Sequence, residues 1–163
     1  DPKLIKTELN ILKKVGAKIK LFKNTIHIKG PEKIKSIRNI TTKEYDGFPT
    51  DLAPQFMVLL CKANGTSSIT ENIFQGRFLH AMELQRLGAK ISIKNRTAKI
   101  EGNTNFIAAE VMSSDLRASA ALVLAGIVSK GNTIVTRIYH CDRGYENFEK
   151  KLKKIGVKIK RLK

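Results

Sequence analysis

The apolar positions of this chain fall into two kinds of helical segment. From Ala118 to Val128 only Ser119 is polar, so the pattern predicts a helix without a wet side, buried all round. The stretch opened by Asp51-Leu52 reads the same way through Ala63 and is ended by Asn64-Gly65. Between such segments lie amphipathic ones. Ile5, Leu9, Leu12 and Val15 recur at helical spacing among lysines. Strict alternation then predicts strands with Ile19, Leu21, Ile91, Ile93 and Ile159 facing inward. Lys23-Asn24 and Asn95-Arg96 supply turn residues, and Ile26 with Ile28, or Ala98 with Ile100, return as second strands.

These elements recur as one unit written nearly three times. LKKVGAKIKLFKNTIHIKG at 12–30, LQRLGAKISIKNRTAKIEG at 84–102 and LKKIGVKIKRLK at 152–163 align on Gly16, Gly88 and Gly156. Glycine there suits the left-handed end of a helix. Each copy reads strand, dry helix, strand, amphipathic helix, hairpin: a βαβαββ unit of an α+β lobe with helices buried and sheets outside. Residues 1–46 form a partial first repeat, 47–112 a second, and 113–163 a third lacking its last strand, so 1–163 is expected to be a single incomplete lobe. In the third copy the chain after Gly156 is expected to be a strand. Arg77 and Arg143 each lie twelve residues past the glycine that closes a dry helix, Gly65 or Gly131, and are therefore equivalent.

Composition narrows the partners. The longest apolar runs fall well below the roughly 20 residues of a membrane span, so no membrane segment is expected. The start, DPKLIKTEL, lacks a signal core and suggests a chain cut out of something longer. Two cysteines, Cys61 and Cys141, form no disulfide framework and with the missing signal favour a reducing cytoplasm. The formal net charge of +17 attracts polyanions. Its lysines, however, are scattered over wet faces with few aromatics among them, so no nucleic-acid partner is expected.

The candidate chemistry lies at the helix starts. Asp115 and Arg117 stand at the mouth of a dry helix, where charge is costly unless paired or facing a ligand. Asp115 is either a plain N-cap or part of an anion-binding mouth. Arg77, Arg117 and Arg143 offer planar forks suited to phosphate or carboxylate. Asp51, preceded by the stiff Phe48-Pro49-Thr50, can accept a hydroxyl hydrogen bond and, if poised, remove that proton. The plainer alternative is a ring of structural ion pairs, Asp115 with Arg117 and Asp142 with Arg143. No P-loop, dinucleotide fingerprint, Ser-His-Asp order or metal cluster is present, and no cofactor or metal is expected.

GFPTDLAPQF at 47–56, ITENIFQGRFLHAMELQRLGAKI at 69–91, SSDLRASAALVLAG at 113–126 and RIYHCDRGYENFEKKLKKIG at 137–156 resemble the C-terminal part of the UDP-N-acetylglucosamine enolpyruvyltransferases, the 1-carboxyvinyltransferases. The resemblance implies the inside-out α/β barrel lobe of that family. It also implies a cytoplasmic bacterial enzyme of peptidoglycan synthesis that moves the enolpyruvyl group of phosphoenolpyruvate onto the 3-hydroxyl of UDP-N-acetylglucosamine through a tetrahedral, phosphate-bearing adduct. By position, Asp51 resembles the aspartate that hydrogen-bonds the sugar hydroxyl and acts as base. Ile73 is similar to a residue that touches the UDP-sugar through its backbone, and Arg143 to the arginine that reaches phosphoenolpyruvate on closure. Arg77, Asp115 and Arg117 match charged residues of the same cleft.

The family's proton-donating cysteine, and the lysine and arginine that hold phosphoenolpyruvate, belong to the other lobe and are missing here. Neither Cys61 nor Cys141 sits in a matching motif. Cys61 reads as core, and Cys141 as a small apolar filler. The chain alone is therefore expected not to catalyse the transfer, and to need the missing N-terminal lobe of the same protein. The alternatives are a shikimate-pathway enolpyruvyltransferase lobe, a basic RNA-binding βαβαββ module and a non-catalytic paralogue.

Overall fold

The computed structural model describes residues 1–162. In chain order they form α1 (Lys6–Lys14), the hairpin β1 (Lys18–Leu21) and β2 (Ile26–Lys29), β3 (Ile40–Thr41), α2 (Ala53–Cys61) and β4 (Thr66–Thr70). Then come α3 (Leu79–Arg86), the hairpin β5 (Lys90–Lys94) and β6 (Thr97–Glu101), β7 (Glu110–Met112), α4 (Leu116–Ile127), β8 (Ile134–Thr136), α5 (Tyr139–Asp142) and α6 (Phe148–Lys154). The repeat is visible in the pairing. β3 runs parallel to β4 as β7 does to β8, so each dry helix, α2 or α4, is the crossover of a parallel strand pair. The hairpin β5–β6 extends the β3–β4 pair into a sheet of order β3-β4-β6-β5. The glycines aligned in the sequence adopt φ of +109°, +96° and +93° at Gly16, Gly88 and Gly156, a region that disfavours any side chain.

The two dry helices pack on each other at the centre. Met57, Leu60 and Cys61 of α2 and Ala121, Leu122 and Ala125 of α4 are fully enclosed. α1 and α3 add Leu9, Val15, Leu84 and Leu87, and the sheet adds Ile69, Ala98 and Ile100. Ser119, the lone polar residue of the α4 stripe, is satisfied by hydrogen bonding to the Ser113 hydroxyl and by donating to the Asp115 carbonyl at 2.8 Å.

Three expectations are corrected. α4 is dry only over its first three turns, because Ile127 and Val128 pass the end of the bundle and stand exposed. Residues 157–162 form no strand: none of the described strands pairs with them, and a single strand without a ladder leaves its backbone unpaired. Of the inward set, only Ile91 is buried. Ile93 and Leu21 lie near the turn ends of the hairpins β5–β6 and β1–β2, and both remain exposed.

Candidate active site

The starts of α2 and α4 meet at one mouth. Asp51 lies in a short 3-10 turn, Thr50–Leu52, that leads into α2, and Arg117 is the second residue of α4. The Arg117 Nε donates to Asp51 Oδ1 at 2.5 Å, and Arg77 Nη1 stands 3.3 Å from the same oxygen. The second carboxylate oxygen, Oδ2, has no partner among the described residues. A carboxylate between two guanidiniums leaves one net positive charge at the mouth, suited to a small anion. The Asp51 side chain is 60% exposed, so these ion pairs contribute at most about 1 kcal/mol to stability. Holding the fold together is a weak reason for the cluster.

Arg77 is fixed from three sides. Besides its ion pair with Asp51, it donates a hydrogen bond to Thr50 Oγ1 at 2.8 Å, and its guanidinium lies 4.2 Å over the Phe74 ring. Behind it stands Glu71, 2% exposed, which follows β4 directly. Its carboxylate accepts from the hydroxyls of Thr42 (2.8 Å) and Thr50 (2.6 Å), and from the amides of Ile73 (2.7 Å) and Phe74 (3.0 Å). Burial pushes this carboxyl up, but the bonds from Thr50, Phe74, Thr42 and Ile73 together outweigh it and hold Glu71 below its usual range.

Asp115 does something different from its repeat equivalent Asp51. Its Oδ1 caps α4, accepting from the amides of Arg117 at 2.8 Å and Ala118 at 3.1 Å, while Ser114 donates to Oδ2. Burial pushes it up, and those hydrogen bonds together with the nearby His80 hold it below its usual range. Asp51 caps nothing. Two residues on, the Ala53 amide donates to the Thr50 carbonyl, and three residues on stands Pro54, which has no N–H to offer, so the carboxylate is left to the arginines.

Of the six candidate residues, Asp51, Arg77 and Arg117 are brought into direct contact. Asp115 sits beside them as a cap. Ile73 faces the same loop, with its amide committed to Glu71 and its carbonyl unpaired among the described residues. Arg143 C-caps α5 and forms no ion pair with a described residue. Its neighbours lie over both helix starts: a Cβ on Gly144 would meet Leu116 at 2.9 Å, and Gln55 of α2 donates to the Tyr145 hydroxyl at 3.2 Å. The ion pairs of the plainer alternative, Asp115–Arg117 or Asp142–Arg143, do not form among the described residues. Arg117 reaches across to Asp51, and Asp142 takes Arg161 at 2.6 Å. Cys61 and Cys141 are fully buried, and burial pushes their thiols to about 12 and about 11. No helix among the described residues is long and apolar enough to cross a membrane.

Dry helices inside, small sheets outside and a charged mouth at the helix starts define the enolpyruvyl transferase fold. The enolpyruvyl transferase NikO from Streptomyces tendae superposes with a TM-score of 0.88 at 24% identity, over 96% of this chain and 36% of that one. An EPSP synthase from Acinetobacter baumannii gives 0.70 at 18% identity, over the same shares. The chain belongs to the EPSP synthase (3-phosphoshikimate 1-carboxyvinyltransferase) family, whose model matches residues 3–152. It is 62% identical over 162 residues to a UDP-N-acetylglucosamine 1-carboxyvinyltransferase of Pelagibacter ubique (strain HTCC1062). It is 52% identical over 149 residues to the protein of that name from Helicobacter pylori (strain ATCC 700392 / 26695). It covers 39% and 35% of their lengths, so it spans under two-fifths of these relatives.

Proposed function

We propose that this chain is the acceptor-activating part of a UDP-N-acetylglucosamine 1-carboxyvinyltransferase that uses phosphoenolpyruvate in the cytoplasm to begin peptidoglycan synthesis. The observation that carries the reading is the Asp51 carboxylate, gripped on Oδ1 by Arg77 and Arg117 with Oδ2 open. In this reading Oδ2 takes the proton of the sugar 3-hydroxyl as that oxygen bonds to C2 of phosphoenolpyruvate, while C3 gains a proton from a donor outside these residues. Phosphate then leaves C2 as C3 gives up a proton, restoring the double bond on the sugar. The arginines meet the anionic charge of the adduct, and Arg143 adds a further cation when the site closes. The Ile73 carbonyl is free to accept from the nucleotide sugar. Neither cysteine serves as the proton donor, because both thiols are buried. Turnover therefore requires residues beyond this chain, in the missing lobe of the same protein.

The test is phosphate release by the full-length gene product with phosphoenolpyruvate and either UDP-N-acetylglucosamine or 3-phosphoshikimate. Turnover with the nucleotide sugar alone is expected, and Asp51→Ala should lower kcat by about 10²- to 10⁴-fold. Turnover with 3-phosphoshikimate alone would move the protein to the other branch of the family. Full activity in Asp51→Ala would remove Asp51 as the base.

A further inference from the structure

Glu71 is buried, ionised at neutral pH and in direct ion pair with no cation among the described residues; the Thr50 hydroxyl stands between it and Arg77. A buried charge held only by hydrogen bonds is a costly way to fill space, since an apolar side chain of similar volume is commonly as stable or more so. Its oxygens gather three segments: Thr42 after β3, Thr50 before α2, and the amides of Ile73 and Phe74. Two of these lead to Arg77. Thr50 accepts from the guanidinium, and Phe74 stacks on it.

We propose that Glu71 is a positioning residue of the active site: it orients the Thr50 hydroxyl and the Phe74 ring, and through them holds Arg77 against Asp51. The inference rests on the transferase reading and adds a residue that touches no substrate. The direction of the hydrogen bonds makes the case. An ionised carboxylate only accepts, so the single Thr50 proton must point at Glu71, and the Thr50 lone pair must face Arg77. A glutamine at this position keeps the volume and reverses the logic. Its carbonyl can still take the two amides and Thr42, but its NH₂ then faces Thr50, whose proton is driven toward Arg77, another donor. Arg77 loses its anchor while the fold keeps its shape.

The experiment uses the full-length protein with Glu71→Gln, Thr50→Val, Thr50→Ser and the double variant Glu71→Gln/Thr50→Val. Two readouts are taken: steady-state kinetics, and the guanidinium ¹⁵N–¹H signal of Arg77, assigned by Arg77→Lys. In the wild type that signal should exchange slowly. Glu71→Gln and Thr50→Val should each make it exchange fast and lower kcat on the order of 10- to 100-fold, with KM for the nucleotide sugar changed much less. Thr50→Ser should restore both signal and rate, and the double variant should be no worse than the poorer single one. A slow Arg77 signal in Glu71→Gln, or losses that multiply in the double variant, overturns the proposal. A wild type that turns over neither acceptor sinks the functional reading instead, and the Arg77 signal still decides the role of Glu71.

Discussion

His80 on α3 is 4% exposed, its Nε2 has no hydrogen-bond partner, and burial pushes the imidazole down to about 4 against the opposing charge of Asp115. It is neutral in the fold at pH 7. An unfolded histidine titrates near 6.5, so between about 6.5 and 4 the unfolded chain binds a proton that the folded chain refuses. The stability linked to His80 is therefore fully present above pH 6.5 and is lost as pH falls toward 4. The shift from 6.5 to about 4 sets the loss at about 3 kcal/mol. Glu71 and Asp115 act in a lower window. Their folded values are depressed, so their contribution is present above the usual carboxylate range and fades below it. Two measurements on the full-length protein separate these effects. Urea unfolding followed by circular dichroism from pH 7.5 to 4.5 should show a falling midpoint in the wild type and a much flatter one in His80→Leu. The His80 ring signal in an NMR titration should stay unchanged down to about pH 5, and Asp115→Asn, which keeps a capping side chain, should lower its midpoint further. A His80 midpoint within half a unit of 6.5, or equal pH slopes in wild type and His80→Leu, would refute the burial argument.

Three other substitutions test the frame around the site. A Cβ on Gly102 would lie 1.9 Å from the Ala63 carbonyl oxygen and 2.5 Å from that of Gly65, so Gly102→Ala should lower the unfolding free energy measured in urea by about 2 kcal/mol or more. Gly30, its equivalent one repeat earlier, has no atom within 4 Å of such a Cβ, and Gly30→Ala should be nearly neutral against the described residues; equal losses in the two would contradict the packing. Pro54→Ala supplies the N–H that Asp51 lacks and should draw its carboxylate into a cap worth about 1 kcal/mol. kcat should fall about tenfold with no loss of thermal stability, and an unchanged kcat would show that the proline does not set the aspartate's direction.

How much of this was legible in the sequence depends on the range of each interaction. The repeat and the apolar runs of the dry helices are written in local spacing, whereas for Asp115 the same spacing leaves a plain N-cap and an anion-binding mouth both open, and the bonds to Arg117 and Ala118 show the cap. Arg117 was open to misreading because its nearest carboxylate in sequence, Asp115, is not its partner; the true one is Asp51, 66 residues away. Glu71 carries no local signal for the same reason: a lone acid in a polar stretch looks like surface until Thr42 and Thr50 fold against it. The fading of α4 into solvent at Ile127, and the missing strand after Gly156, depend on neighbours that no local spacing reports.

The split between the two equivalent aspartates, in contrast, is written locally. Asp115 is followed at the third position by Ala118, whose amide it binds; Asp51 is followed at the same position by Pro54, which has none to give. One imino acid, together with an Ala53 amide that donates to the Thr50 carbonyl instead, therefore separates a carboxylate spent on closing a helix from one left facing two guanidiniums with an oxygen to spare. That difference, more than the shared placement at a helix start, is the local feature on which the proposal of Asp51 as the base rests, and an Asp51→Ala variant that keeps full turnover would remove it.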